Sequence, residues 1–402
     1  MAGAVSARIA LVTHGLEVGG GVPAVARWLR DGLVATGAFQ VDVHDLATSR
    51  RDPYSRLLAS PRTWLRRSLH APRDGFRSWG ANAAELEVMR YRPRRELARA
   101  LRGYDLVQVV AGTPAWAGAV LPAAAPVVLQ VASLVRWERV AFPGRFLGTW
   151  RRAMTAATTR LERAALRAVD AVLVENTDML SAVRATGQHR VVLAPPGVDT
   201  EIYRPATDGW HPDGHLLSVC RLADPRKGID RTLHAYAALL RLRDPAPALV
   251  LAGRGTLPDA LRRLVRDLGL TARVHVRENP DAAELVELYR GTSVFVQTSH
   301  EEGLGVSVLE AMACGLPVVA TSTAGSRETV ADGRTGHLLS QPFSPGDFAV
   351  RIGDLLSAGT PFAEAARERC VSTFSTTATL RRFTDTYATL LDRRPVPFPA
   401  SR

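Results

Sequence analysis

The stretch His300-Glu301-Glu302-Gly303-Leu304-Gly305-Val306-Ser307-Val308-Leu309-Glu310-Ala311-Met312-Ala313-Cys314-Gly315-Leu316-Pro317 decides the fold. It lies between two short apolar runs, Val294–Gln297 and Val318–Thr321. Gly303 and Gly305 open a helix, and Gly315-Leu316-Pro317 closes it. A strand, a helix and a second strand in succession imply a parallel βαβ unit. Glu302 stands just before the helix and Glu310 about two turns into it, separated along the axis by roughly 10 Å. Between them the helix N-terminus offers unpaired N–H groups to a phosphate. A carboxylate beside a phosphate is unfavourable unless it accepts hydrogen bonds from hydroxyls, so the layout suits a sugar, a diphosphate and a ribose.

Outward from this stretch the same alternation fills the chain. Strands are expected at Ile9–Thr13, Phe39–His44, Leu106–Val110, Val127–Val131, Ala171–Glu175 and Arg190–Leu193. A second set is expected at Leu216–Cys220, Ala248–Ala252, Val274–Arg277, Val294–Gln297, Val318–Thr321 and Gly336–Leu339. Helix-period segments separate them, which gives an α/β chain of two doubly wound, Rossmann-like parallel-sheet domains. The sets meet at residues 195–215, where Pro, Gly and polar residues have linker composition. The expected domains are 1–200 and 201–375, with a closing helix at 376–394 packed back on the first. The tail Arg393-Arg394-Pro395-Val396-Pro397-Phe398-Pro399 cannot remain helical.

In open parallel sheets, ligands bind beyond the carboxyl ends of the strands. Gly19-Gly20-Gly21-Val22-Pro23 follows the first strand and opens a helix, where glycines let a backbone approach a phosphate. It does not match the dinucleotide fingerprint, and a plain glycine-rich turn fits it equally. Arg221-Leu222-Ala223-Asp224-Pro225-Arg226-Lys227-Gly228 also joins a strand to a helix, with Arg221 and Lys227 placed to converge on a diphosphate. Lys227 is the single lysine among 51 Lys and Arg residues. A chain that uses arginine everywhere else keeps a compact ammonium at this one place.

The 402 residues are 46% hydrophobic and 22% charged, which is globular composition and excludes a largely disordered chain. Three cysteines without CxxC spacing argue against a disulfide framework or a zinc site. No run reaches the ~18 apolar residues of a membrane helix, and the N-terminus lacks a signal pattern; the expected location is cytoplasmic. The net charge of +12 concentrates in residues 46–102, with fourteen arginines against five acids and Trp64, Phe76 and Trp79 interleaved. This segment reads either as a solvated insert or as a contact for an anionic membrane surface or charged acceptor. No nucleic-acid recognition motif accompanies the charge.

Residues 215–340 resemble the donor half of GT-B glycosyltransferases of glycosyltransferase family 4. The resemblance is carried by Arg221 and Lys227, the Gly253-Arg254-Gly255 turn, Glu302 and Glu310, Pro317–Thr321, and Asp332-Gly333-Arg334-Thr335-Gly336. Pro196-Gly197-Val198-Asp199 with Tyr203-Arg204-Pro205 is similar to the family's interdomain junction, and Gly20-Gly21 to its N-terminal glycine loop. The resemblance implies a metal-independent retaining transferase whose site lies in a cleft between the two domains. Its co-substrate would be a nucleotide-diphosphate sugar, a UDP-sugar slightly ahead of a GDP-sugar, and no other cofactor is expected. Arg221 and Lys227 would bind the leaving diphosphate, Glu302 the donor sugar and Glu310 the ribose. Backbone amides of Gly303, Leu304, Gly305, Gly20 and Gly21 would complete the cradle, and Arg277 lies where a base could sit. The acceptor would be a hydroxyl of a small molecule, a glycan or a lipid-linked species. Where the family often carries a histidine after the fourth strand, Ala132 stands here, with His14 at the end of the first strand as a substitute. That departure motivates the alternative of a catalytically silent binding or scaffold subunit.

Overall fold

The computed structural model describes residues 6–17, 20–48, 51–66, 69–73, 75–140 and 148–392. The chain divides into two compact units, Met1–Pro196 with Thr379–Arg402, and Gly197–Ala378. The first is built on strands β1 (Ala7–His14), β2 (Phe39–Leu46), β3 (Leu69–Arg73), β4 (Phe76–Trp79), β5 (Leu106–Ala111), β6 (Val127–Val131), β7 (Ala171–Val174) and β8 (Val191–Leu193). Their order across the sheet is β3-β4-β2-β1-β5-β6-β7-β8. All neighbours are parallel except β3 with β4. The second unit carries β9 (His215–Val219), β10 (Leu249–Gly253), β11 (Val274–Glu278), β12 (Thr292–Gln297), β13 (Val318–Thr321) and β14 (Gly336–Leu339). These form a wholly parallel sheet in the order β11-β10-β9-β12-β13-β14.

Helices cover both faces of each sheet, so the central strands lose the polar-out alternation of a half-exposed strand. Every residue of β5, β6 and β12 is buried. The helix Thr376–Leu390 lays Leu380, Phe383 and Tyr387 into the core of the first unit. There the Tyr387 hydroxyl donates to Gln108 Oε1 on β5 at 2.7 Å. The Pro-rich tail from residue 393 onward lies outside the described residues.

One expectation needs correction. The basic segment 46–102 is not simply a solvated insert, because β4 pairs with β2 in register Leu46↔Trp79 and extends the first sheet. Trp79 is fully buried and its indole N–H donates to His44 Nδ1 at 3.0 Å. Arg94 is buried as well, and burial lowers its guanidinium to about 10. Neither Nη1 nor Nη2 of Arg94 has a hydrogen-bond partner among the described residues.

Candidate active site

Among the parallel strands of each sheet the winding reverses at one point: between β1 and β5 in the first, between β9 and β12 in the second. At such a point neighbouring loops turn to opposite faces and leave a crevice beyond the carboxyl ends of the strands. The loops after β9 and β12 contain Arg221–Gly228 and Thr298–Gly305.

After β9, Asp224 organises the first loop. Its carboxylate accepts from Arg226 N at 3.1 Å, capping the 3-10 turn Pro225–Lys227, and pairs with Arg221 Nη2 at 2.6 Å and Arg226 Nη2 at 2.9 Å. Burial works to raise the Asp224 carboxyl, but hydrogen bonds and charge from Arg226, with Arg221 behind it, bring it below the ordinary value. Gly228 ends the turn at φ 62°, and a Cβ there would stand 2.4 Å from Thr298 O. Only glycine allows the two loops to close this far. Thr298 Oγ1 holds the approach by donating to Gly228 O at 2.6 Å.

That approach brings Lys227 Nζ within 2.6 Å of Glu302 Oε2, with only 15% of either side chain exposed. Gln297 Nε2 and Ser299 Oγ lie 3.4 Å from the same oxygen. An ammonium has three donors, so Lys227 can serve Glu302 and a phosphate oxygen together. Gly303-Leu304-Gly305 then leads into the helix Val306–Ala313, with Gly305 as N-cap at φ 83° and no side-chain cap.

Glu310, on the second turn of that helix, meets two residues that the sequence reading did not assign to the site. Tyr289 is fully buried, and its hydroxyl donates to Glu310 Oε2 at 2.7 Å. Tyr203 hydrogen-bonds the same carboxyl, and the two rings pack edge to face at 5.7 Å. Burial raises Glu310 from 4.5 to about 7, against the lowering effect of the two tyrosine hydrogen bonds. Of the two tyrosines, only Tyr203 carried a sequence signal, within the junction motif. Tyr289 lies on the ordinary buried face of a helix and carried none.

Arg277 is not brought to this cluster. It sits on the edge strand β11, half-exposed, with Nε 3.9 Å from Glu284 Oε1. Next to it, Asn279 ties the loops after β10 and β11 together, donating from N to Gly253 O at 2.7 Å and accepting from Gly255 N at 2.8 Å.

In the first unit, Gly20 caps the helix Gly21–Ala35 at φ 120° without a side-chain cap, and a Cβ on Gly20 or Gly21 would meet nothing within 4 Å. Asp45 at the end of β2 steadies the preceding loop by accepting from Leu16 N at 3.1 Å. His14 Nε2 accepts from Gly112 N at 3.2 Å, and its ring stacks on Trp116 at 4.5 Å. Burial lowers His14 to about 4, so it is neutral at physiological pH and already engaged between β1 and β5. Ala132 N, at the end of β6, donates to Ala111 O at 3.2 Å.

A family model described as Glycosyl transferases group 1 matches residues 209–371, and one described as Glycosyltransferase Family 4 matches residues 19–202. A D-inositol 3-phosphate glycosyltransferase of Frankia alni is 36% identical over 214 residues, 49% of this chain and 50% of that protein. A GDP-mannose-dependent alpha-(1-6)-phosphatidylinositol monomannoside mannosyltransferase of Mycolicibacterium smegmatis is 35% identical over 179 residues, 40% of this chain and 46% of that protein. The chain thus spans about half the length of the curated relatives it matches. Among solved structures, sucrose-phosphate synthase from Thermosynechococcus elongatus aligns with a TM-score of 0.70 and 22% identity over 96% of this chain and 99% of that one. HepE of Anabaena in complex with UDP-glucose aligns with a TM-score of 0.69 and 16% identity over 95% and 100%. The likeness to both is one of fold.

Proposed function

The chain belongs to glycosyltransferase family 4 and has the GT-B fold, and on that premise we propose that it transfers a sugar from a nucleoside-diphosphate sugar to a hydroxyl acceptor, metal-independently and with retention at the anomeric carbon. The observation that carries this reading is the Lys227–Glu302 pair at the β9/β12 crevice, beside the open end of the helix Val306–Ala313. Lys227 and Arg221 hold the diphosphate, with backbone N–H groups of Gly303–Gly305 completing the cradle. Glu302 accepts from donor-sugar hydroxyls, and Glu310 accepts from the ribose.

As the bond from the anomeric carbon to the diphosphate oxygen breaks, positive charge develops on the sugar and negative charge on the leaving group. Fixed cations aimed at the leaving group stabilise that separation without having to reorganise. The acceptor oxygen bonds to the anomeric carbon on the same face, and its proton passes to an oxygen of the departing diphosphate. No protein nucleophile is needed. A UDP-sugar is favoured over a GDP-sugar: a solved structure of like fold holds UDP-glucose, although one relative is named for GDP-mannose. A thermal-shift panel of UDP-, GDP- and dTDP-sugars tests the donor, because a ligand that binds only the folded chain stabilises it by mass action. The largest shift is expected with a UDP-sugar; no shift with any of them would contradict the reading.

For the acceptor, the buried Arg94, whose Nη1 and Nη2 have no hydrogen-bond partner among the described residues, supports a hydroxyl compound that carries an anionic group, small or lipid-linked. Relatives named for inositol 3-phosphate agree with that chemistry. The basic segment 46–102 would then face an anionic membrane surface. No helix among the described residues is long and apolar enough to cross a membrane.

The raised Glu310 carboxyl gives a pH prediction. Ribose hydroxyls donate to the ionised form, so the donor KM should rise as pH falls through about 7. The linked stability runs the other way. The folded chain holds this proton above the ordinary value of 4.5, so the Glu310 contribution to stability declines as pH rises from 4.5 to about 7. Loss of donor binding at low pH therefore cannot be loss of fold at this group. Tyr289→Phe removes a hydrogen bond that favours ionisation and should move the KM transition to higher pH; Tyr203→Phe should do the same. Steady-state kinetics between pH 5.5 and 8.5 checks this, and a flat KM profile would contradict it.

A further inference from the structure

Eight large hydrophobic side chains are exposed among the described residues. Five are scattered singly, which is ordinary for a protein surface. The other three are gathered in one short loop: Leu58 is 53% exposed, Trp64 55% and Leu65 94%. The loop between Arg51 and Arg66 carries four arginines (Arg51, Arg56, Arg62 and Arg66) against one acid, Asp52. Asp52 is turned inward, accepting from Ser55 Oγ at 2.8 Å and Tyr54 N at 3.2 Å.

The display is built rather than loose. Thr63 is buried and its Oγ1 accepts from Leu57 N at 2.7 Å while donating to Ser60 O at 2.8 Å. Glu85 accepts from the backbone of Leu58 and Ala59, at 3.0 and 3.2 Å. Arg66 Nη1 reaches Pro53 O at 2.8 Å, and Arg56 Nε reaches Arg66 O at 3.0 Å. The Trp64 indole N–H donates to Leu57 O at 2.8 Å, so its one polar group is satisfied within the loop. An indole without an unmet donor can leave water at low cost.

We propose that the loop from Leu57 to Arg66 is a peripheral membrane anchor, inserting Leu58, Trp64 and Leu65 into the headgroup boundary of a bilayer rich in anionic lipid. This deepens the reading that residues 46–102 face an anionic surface and rests on it. The rigid apolar tip supplies insertion, and the exposed Arg51, Arg62 and Arg66 around it meet lipid phosphates. A nucleic acid would use the arginines but gain nothing from Leu65, the most exposed of the three.

The test is co-sedimentation of the full chain with vesicles of phosphatidylcholine containing phosphatidylglycerol, and with vesicles of phosphatidylcholine alone. The wild type should bind the anionic vesicles, less tightly as salt rises, and bind the neutral ones far more weakly. Trp64→Ala with Leu65→Ala should weaken binding by at least about tenfold, while unfolding temperature and donor-induced thermal shift stay unchanged. Trp64→Phe should keep binding but lose the quenching of tryptophan fluorescence by brominated lipid. If the wild type ignores anionic vesicles, both the membrane-facing reading and the anchor fail. If the double variant binds like the wild type, the segment meets the membrane elsewhere and the anchor alone fails. If the same variant instead loses affinity for a single-stranded oligonucleotide, with vesicle binding intact, the loop serves nucleic acid and the anchor is overturned.

Discussion

Lys227→Arg should reduce kcat/KM almost as severely as Lys227→Ala, although it preserves the charge. The ammonium sits 2.6 Å from Glu302 Oε2 with only 15% of its side chain exposed, and Arg226 already occupies the Asp224 side of the turn. A guanidinium is wider and planar, with donors in a fixed fork, so it cannot give one hydrogen bond to Glu302 and another to a phosphate from the same point. Removing a preorganised donor to developing negative charge lowers turnover by about 10²–10³-fold in well-studied sites. Lys227→Ala should fall by about that factor, and Lys227→Arg should remain within about tenfold of Lys227→Ala on the same scale. Initial rates with the donor selected by the thermal-shift panel check this. Near-normal activity in the arginine variant would mean that the lone lysine answers to nothing at the site.

Gly228→Ala should cost both stability and activity. The new Cβ would stand 2.4 Å from a backbone oxygen, Thr298 O, which no rotamer change can relieve. The φ of 62° adds left-handed strain of about 1–2 kcal/mol. Together these should destabilise the second unit by roughly 2–4 kcal/mol. At about 2–4 °C per kcal/mol, the unfolding temperature should fall by roughly 4–16 °C. Relief of the clash must part the two loops that pair Lys227 with Glu302, so activity should drop by about 100-fold even where the chain stays folded. Gly269→Ala is the control: it has a similar φ of 70° with nothing within 4 Å of its Cβ, so it should lose only the strain and keep its activity. Equal effects at both glycines would show that the close approach to Thr298 is unimportant.

The βα alternation of both units was legible because buried parallel strands are short apolar runs, and those runs are clear from Ile9 to Leu339. β3 and β4 were not legible. His70-Ala71-Pro72-Arg73 and Phe76-Arg77-Ser78-Trp79 mix charge, proline and aromatics, and their place in the sheet comes from pairing, β4 with β2 and β3 with β4, rather than from local pattern. For the same reason Arg94 looked like one more surface cation until the fold buried it.

At the candidate site, the residue types and their spacing along the chain were readable, but the partnerships were not. Lys227 and Glu302 are 75 positions apart and meet because the sheet order sets β9 beside β12. That order follows from how the crossovers pack, which no window of sequence displays. Tyr289 likewise reads as core, and only the packed helices show that its hydroxyl ends on Glu310.

The central claim is that a nucleoside diphosphate is held at the β9/β12 crevice through its phosphates by Lys227. Titration calorimetry of wild type and Lys227→Ala, each with the preferred nucleoside diphosphate and with the nucleoside alone, tests it most directly. The account predicts that wild type binds the diphosphate at least about 100-fold more tightly than the nucleoside, and that Lys227→Ala removes most of this difference while leaving nucleoside affinity unchanged. Equal diphosphate affinity in the two proteins would contradict it.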